Sequence, residues 1–284
     1  MKVITTVLLV IMTGALPAAA QPSPSLDELL VRMREYLTSY ESRLTQIVAT
    51  ERFDQQVIVQ LRSGPTTTKR RIDSEVAFVR LPGDAEWLGS REVLKVDGRA
   101  VPPAQTRMSD LFTAGADMVT QARAIAAAGA RYNQGLPRTI NVPTAPLDII
   151  HPRHRDALRY RLEGAGTVNK VRVAIVSFVE ARRPTLVREP DGTNLVSSGR
   201  VWLEPESGRI LRIHWTYRAE PRRANAERAP GLQVDFAVDA GLDMLVPREM
   251  REEFSVARGR GEGRAVYSNF RSFQTSARIV PVQP

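Results

Sequence analysis

The sequence predicts an α+β chain, mainly β: a large antiparallel sheet with one long N-terminal helix and one Ala-rich helical segment. Three observations predict it. Apolar residues recur at helical spacing between residues 26 and 47. Beyond residue 50 most apolar runs alternate with polar residues and stop at Gly, Pro or Asp turns. After residue 132 no second long helical stripe appears.

Residues 1–20 form a unit of their own. Lys2 precedes an apolar run from Val3 to Leu16, then Pro17 and the triplet Ala18-Ala19-Ala20. A basic start, a short apolar core and small residues at the end read as a secretory signal peptide cleaved near Ala20. The run is shorter than the ~20 apolar residues that a membrane span needs. The mature chain is therefore expected in the periplasm or outside the cell. Residues 21–284 are expected to form a single domain, because β-rich units reach about 250 residues as one body.

Within that domain Leu26, Leu30, Met33, Leu37, Tyr40, Leu44 and Ile47 fall at steps of four and three, one face of a helix over 26–47. Ser25 and Glu28 fit a capping box, in which hydroxyl and carboxylate each take an orphaned backbone N–H. Phe53, Val57, Val59 and Leu61 alternate with polar residues in a strand over 50–61, and Ser63-Gly64-Pro65 turns the chain. Strands follow at 72–81, closed by Pro82-Gly83-Asp84, and at 90–96. Asp97-Gly98 then supplies the positive φ of a tight hairpin, with a return over 99–101. Residues 107–132 favour helix in two pieces around Gly115, with an Ala-rich contact face suited to close approach. Gly135, Pro137 and a Pro-rich connector at 141–146 end that region.

The second half reads as strands. At 171–179 both parities are apolar, Val171, Val173, Ile175 and Val179 against Ala174, Val176 and Phe178, which predicts a strand covered on both faces. Residues 199–204 and 209–217 flank Pro205-Glu206-Ser207-Gly208, a Pro-initiated hairpin turn. A polar insertion at 220–230 precedes strands at 232–238, 245–254 and 264–279.

This order of elements resembles the half-barrel of the LolA/LolB-like periplasmic lipoprotein carriers. The resemblance is carried by the helix at 26–47, by "SEVAFVRLPGDAEW" at 74–87, by "KVDGRAV" at 95–101 and by "GRVWLEPESGRILRIHW" at 199–215. The closing strands "VPREMREEF" and "AVYSNFRSF" add to it. It implies a strongly curved antiparallel sheet wrapped around the N-terminal helix and the Ala-rich segment, with an apolar cavity between. Three further phrases, "RYNQG" at 131–135, "RTINVPT" at 138–144 and "RPTLVR" at 183–188, resemble a group of exported bacterial proteins without an assigned activity.

The chemistry the residues allow is limited. With no Cys, the chain has no disulfide framework, thiolate metal site or thiol nucleophile. No G-x-S-x-G elbow, phosphate loop or dinucleotide fingerprint occurs. His151-Pro152-Arg153-His154 has metal-like spacing, but Arg153 and Arg155 oppose a cation, so the segment reads as a helix cap. Glu204/Glu206 and Glu252/Glu253 flank a turn and alternate across a strand, which suits solvated edges better than a glycosidase pair. Of 40 basic residues only four are Lys, and the Arg runs are short and scattered, so nucleic acid is not an expected partner.

The expectation is therefore an exported, non-enzymatic binding protein without a cofactor or metal, acting as a monomer and holding a lipid or other apolar ligand. Val173, Ile175, Phe178, Trp202 and Trp215 are its candidate cavity lining, with Trp87 a further aromatic candidate. The alternative is a structural or interaction protein of the cell envelope, whose Arg-rich surface makes weak contact with anionic membrane or cell-wall polymer.

Overall fold

The computed structural model describes residues 24–45, 47–80, 87–103, 105–111, 118–135, 137–189, 191–220 and 229–272. The signal-peptide segment, the Pro82-Gly83-Asp84 turn, Gly115 and the end of the strand expected to reach 279 lie outside them.

Helix α1, Leu26–Leu44, starts at the expected box: Glu28 N donates to Ser25 Oγ, and Ser25 N donates to Glu28 Oε2 at 2.7 Å. Its buried stripe is Leu29, Leu30, Met33, Leu37, Tyr40, Glu41 and Leu44. Ile47, expected at the helix end, instead opens strand β1, Ile47–Leu61. Then come β2, Gly64–Arg80, β3, Trp87–Val96, and β4, Arg99–Ala100. The helical region holds α2, Met108–Leu111, and α3, Met118–Ala130, followed by α4, Ala145–Ile149, and a 3-10 helix, Pro152–Ala157. The remaining strands are β5, Leu158–Val168, β6, Val171–Glu180, β7, Val187–Arg188, and β8, Asn194–Leu203. They end with β9, Ile210–Glu220, β10, Gly231–Asp239, β11, Met244–Val256, and β12, Gly259–Ser272.

All twelve strands join one antiparallel sheet in the order β4-β3-β2-β1-β12-β11-β10-β9-β8-β6-β5, with β7 beside β8. Laid flat at about 4.8 Å per strand it would be roughly 50 Å wide. A 19-residue helix is only about 28 Å long. Yet one face of the sheet is sealed across eight strands, so the sheet curls into an open half-barrel, as broad twisted sheets do.

The sealed face has a visible spine. Ile72, Phe53, Ala265, Met250, Val234, Ile213, Val201 and Val176 are successive cross-strand partners from β2 to β6. Every one of them is 0% exposed. Strand alternation sends residues of the other parity to the outer face.

Turns grip α1 over this hollow. Gly208, at φ +69°, brings the β8–β9 turn so close that a Cβ there would stand 2.3 Å from the Arg32 carbonyl carbon. Arg43 donates to the carbonyls of Leu242 and Asp243 in the β10–β11 turn, at 3.0 and 2.8 Å.

Two details depart from the sequence reading. The Ala-rich helix α3 lies against the opposite face of the sheet, where Val48, Ala77, Met108, Leu111, Ala122 and Ile125 form a separate small core. Its small side chains allow that approach, with Ser90 Oγ donating to the Ala122 carbonyl at 3.0 Å. What enters the hollow is the segment after it, whose Leu147, Ile149 and Ile150 join the main core. Strand β6 is also not covered on both faces, because Val171 and Val179 are 37% and 47% exposed. On the same parity Val173 is fully buried within the main core and Ile175 is half-buried.

Candidate functional site

The hollow is the candidate site, and its floor divides into two chemically different halves. Beside the apolar spine runs a second row of partners: Gln55, Gly263, Glu252, Leu232, Trp215, Gly199 and Phe178. The β1–β11 end of this row is polar. The β9–β6 end is aromatic.

The polar half is organised by two buried ion pairs. Arg91 on β3 binds both carboxylate oxygens of Glu51 on β1, at 2.5 and 2.8 Å, with side chains 4% and 0% exposed. Ser74 Oγ and Tyr267 OH donate to the same carboxylate at 2.8 and 2.9 Å. Burial works against the Arg91 charge, but Glu51 more than offsets it and the pKa of Arg91 is raised. Burial, then the charge of Glu51, pushes the Tyr267 phenol well above its ordinary value. Arg138 donates to Glu252 at 2.6 Å, and its guanidinium lies 3.6 Å from the Phe254 ring centroid.

These charges hold the segment that follows α3. Arg91 donates to the Asn141 carbonyl at 2.9 Å. Asn133 Oδ1 accepts from Gln55 and from Asn141, both at 3.1 Å, and Gln134 N donates to Gln55 Oε1 at 2.7 Å. The phrases "RYNQG" and "RTINVPT" are thus the fastening of an irregular segment, whose backbone finds partners in side chains because no strand offers them. "RPTLVR" works the same way: Thr185 Oγ1 accepts from Leu195 N at 3.1 Å and Glu180 accepts from Leu186 N at 2.6 Å.

The aromatic half is built from Tyr160, Phe178, Trp215 and Tyr217. Trp215 and Tyr217 lie 5.1 Å apart by ring centroids, and Tyr160 and Phe178 lie 6.4 Å apart. Burial pushes the phenols of Tyr160 and Tyr217 each up to about 12. Gly199 makes the packing possible, since a Cβ there would meet the Phe178 ring at 2.7 Å. Helix α4 packs against β9 on this side and against β3 on the polar side.

Of the five residues expected to line a cavity, Val173, Phe178 and Trp215 are buried in the main core. Ile175 and Trp202 are cross-strand partners of opposite parity to Val176 and Val201, both half-buried, with Trp202 packed against the edge of the main core. The Arg212 guanidinium covers Trp202 at 5.9 Å. The side chain of Trp87 is outside what is described. His151 is the N-cap of the 3-10 helix, accepting from Arg153 N at 3.3 Å, but it is buried rather than solvated and faces Glu41 of α1 at 3.4 Å. His154 accepts from Arg153 Nε at 2.9 Å. Among the described residues no group of three His, Cys, Asp or Glu is placed to hold a metal. Glu252 points into the hollow and Glu253 out, while Glu204 binds Arg209. Neither carboxylate pair converges.

The outer arginines are largely matched. Arg71 meets Asp54, Arg264 meets Glu249, Arg200 meets Glu163 and Arg271 meets Glu75, all within 2.7 Å. Among the described residues no helix is long and apolar enough to cross a membrane.

No family model matches the chain, and no curated protein matches it. Several solved structures do. A DUF1329 family protein from Desulfovibrio piger is 13% identical over 89% of this chain and 92% of its own, with a TM-score of 0.36. An outer membrane lipoprotein-sorting protein domain from Vibrio parahaemolyticus is 12% identical over 86% and 93%, with a TM-score of 0.34. A LolA superfamily protein from Nitrosomonas europaea is 9% identical over 89% and 94%, with a TM-score of 0.32. The interior of this chain has to carry the functional reading.

Proposed function

We propose that the mature chain is an exported, non-catalytic binding protein that holds a lipid or other apolar ligand in the hollow of the half-barrel. One observation supports this reading above all. The spine of eight fully buried apolar residues is roofed by one helix and an irregular segment instead of a second sheet. That segment is hydrogen-bonded to the floor in the polar half, through Gln55, Arg91 and Glu252. Where α4 packs against β9, the roof meets the floor within the main apolar core. Such contacts can be exchanged for contacts with an acyl chain at little cost, because dispersion and burial do not distinguish one hydrocarbon from another. The paired buried charges have no free group to act as nucleophile or base, which supports binding over catalysis.

The test is native mass spectrometry of the protein purified from its own cell envelope. A copurified mass of lipid size, lost on delipidation and regained on incubation with envelope extract, is expected. A chain that carries no such mass and takes none up overturns the reading. In the same preparation, a mature N-terminus at Gln21 is the expected mark of export.

A further inference from the structure

The aromatic half of the hollow contains two hydrogen-bonding groups with nothing to bond. Trp215 Nε1 and Ser197 Oγ have no partner, and their residues are 1% and 0% exposed. They share one face of the sheet: Gly199 is opposite Trp215 and Ser197 is opposite Tyr217 across β8 and β9. That makes them diagonal neighbours, about 7–8 Å apart at Cα. Gly199, opposite Trp215, has no side chain, and a Cβ there would stand 2.0 Å from the His214 carbonyl oxygen and 2.7 Å from the Phe178 ring.

Native interiors rarely leave a buried donor unpaired, unless something from outside the chain supplies the acceptor. The indole N–H can only donate, so the missing group must be an acceptor. Its charge is constrained by Glu180, which is 3% exposed and accepts from the backbone N–H of Ser197 at 3.0 Å. A second anion beside that carboxylate would be repelled in a medium that screens poorly. An uncharged carbonyl oxygen meets both conditions, and the apolar spine next to it suits a hydrocarbon tail.

We propose that Trp215 and Ser197 form the polar end of the ligand site, and that the ligand is an acyl chain carrying an uncharged ester or amide carbonyl whose oxygen accepts from both. This rests on the function proposed above and narrows its ligand class.

The experiment compares dodecane, methyl decanoate and decanoate in displacing a hydrophobic fluorescent dye from the delipidated mature chain at neutral pH. The ester is expected to displace dye at concentrations about tenfold below the alkane, the scale of two modest hydrogen bonds, and below the free acid. Trp215→Phe and Ser197→Ala each reduce the advantage of the ester and leave dodecane unchanged. Ser197→Ala removes a hydroxyl without a partner, so the ligand-free variant melts no lower than the parent chain. Equal displacement by ester and alkane, as a trapped water between the two donors would give, overturns this proposal and leaves the binding function standing. So does an ester advantage that survives in the double variant. Displacement by none of the three overturns both.

Discussion

The two halves of the hollow solve the same problem in opposite ways. Both lie on one face of one sheet, under one roof. In the polar half each buried charge faces an opposite charge, Glu51 with Arg91 and Glu252 with Arg138, and the bonds left over tie down residues 133–141. In the aromatic half the floor is shaped by ring packing around Gly199 and leaves Trp215 and Ser197 without partners. A buried network of paired charges fixes a unique arrangement, since each member is expensive to leave alone. Apolar packing fixes volume and tolerates substitution. The difference suits the first half to holding the roof in place and, under the function proposed above, the second to accommodating a ligand.

The sharpest way to break this division is Arg91→Leu. It strands the Glu51 carboxylate, and stability should fall by about 3–5 kcal/mol, read by chemical denaturation. Adding Glu51→Leu should recover part of the loss, because the stranded charge and not the missing bond is the main cost. Gly208→Ala tests the grip on α1. With φ at +69° and Arg32 backbone 2.3 Å from the new methyl, about 2–3 kcal/mol should be lost, seen as a lower melting temperature. Tyr267→Phe removes one donor from a carboxylate that keeps three others, for a loss of about 1.5 kcal/mol.

Acid should act on the roof through His151. Burial, and then the charge of Arg153, lowers its pKa below the ordinary 6.5, against the opposite pull of Glu41 and Asp148. Below about pH 6.5 the unfolded chain therefore takes up a proton that the folded chain resists. Stability is intact above that value and lost as pH falls through the folded-state pKa. His154 and His214 are lowered too, chiefly by burial, and act in the same direction. The melting temperature should drop as pH falls below about 6.5, and His151→Gln should flatten the slope. The smallest effect belongs to the exterior: Arg161→Ala, at a side chain 79% exposed, should change stability by under about 0.5 kcal/mol.

Much of this was legible in the sequence where pattern and burial coincide. The capping box, the α1 stripe as far as Leu44, the Asp97-Gly98 turn and the hairpin around Gly208 all stand where spacing puts them. Strand β5 leaves little trace in the sequence because it is an edge: it has one neighbour, little burial and a bulge between Leu162 and Gly164, so Leu158, Tyr160 and Leu162 alternate too weakly to stand out. The first half of β2, rich in Thr, Lys and Arg, was missed because its register comes from the hairpin with β1 and not from a buried face. The polar network left a signal of another kind. Glu51 and Gln55 share the parity of Phe53 and Val57, so they were polar residues at core positions, but their partners lie far along the chain and only the fold brings them together.

The middle of the sheet has one more consequence. Strand β1 is flanked on one side by β2 and on the other by β12, so its pairing joins residues near 50 to residues near 268. Closing so long a loop is slow. If the chain is exported amino end first, as the proposed function requires, its central seam cannot close until residues near 268 have emerged.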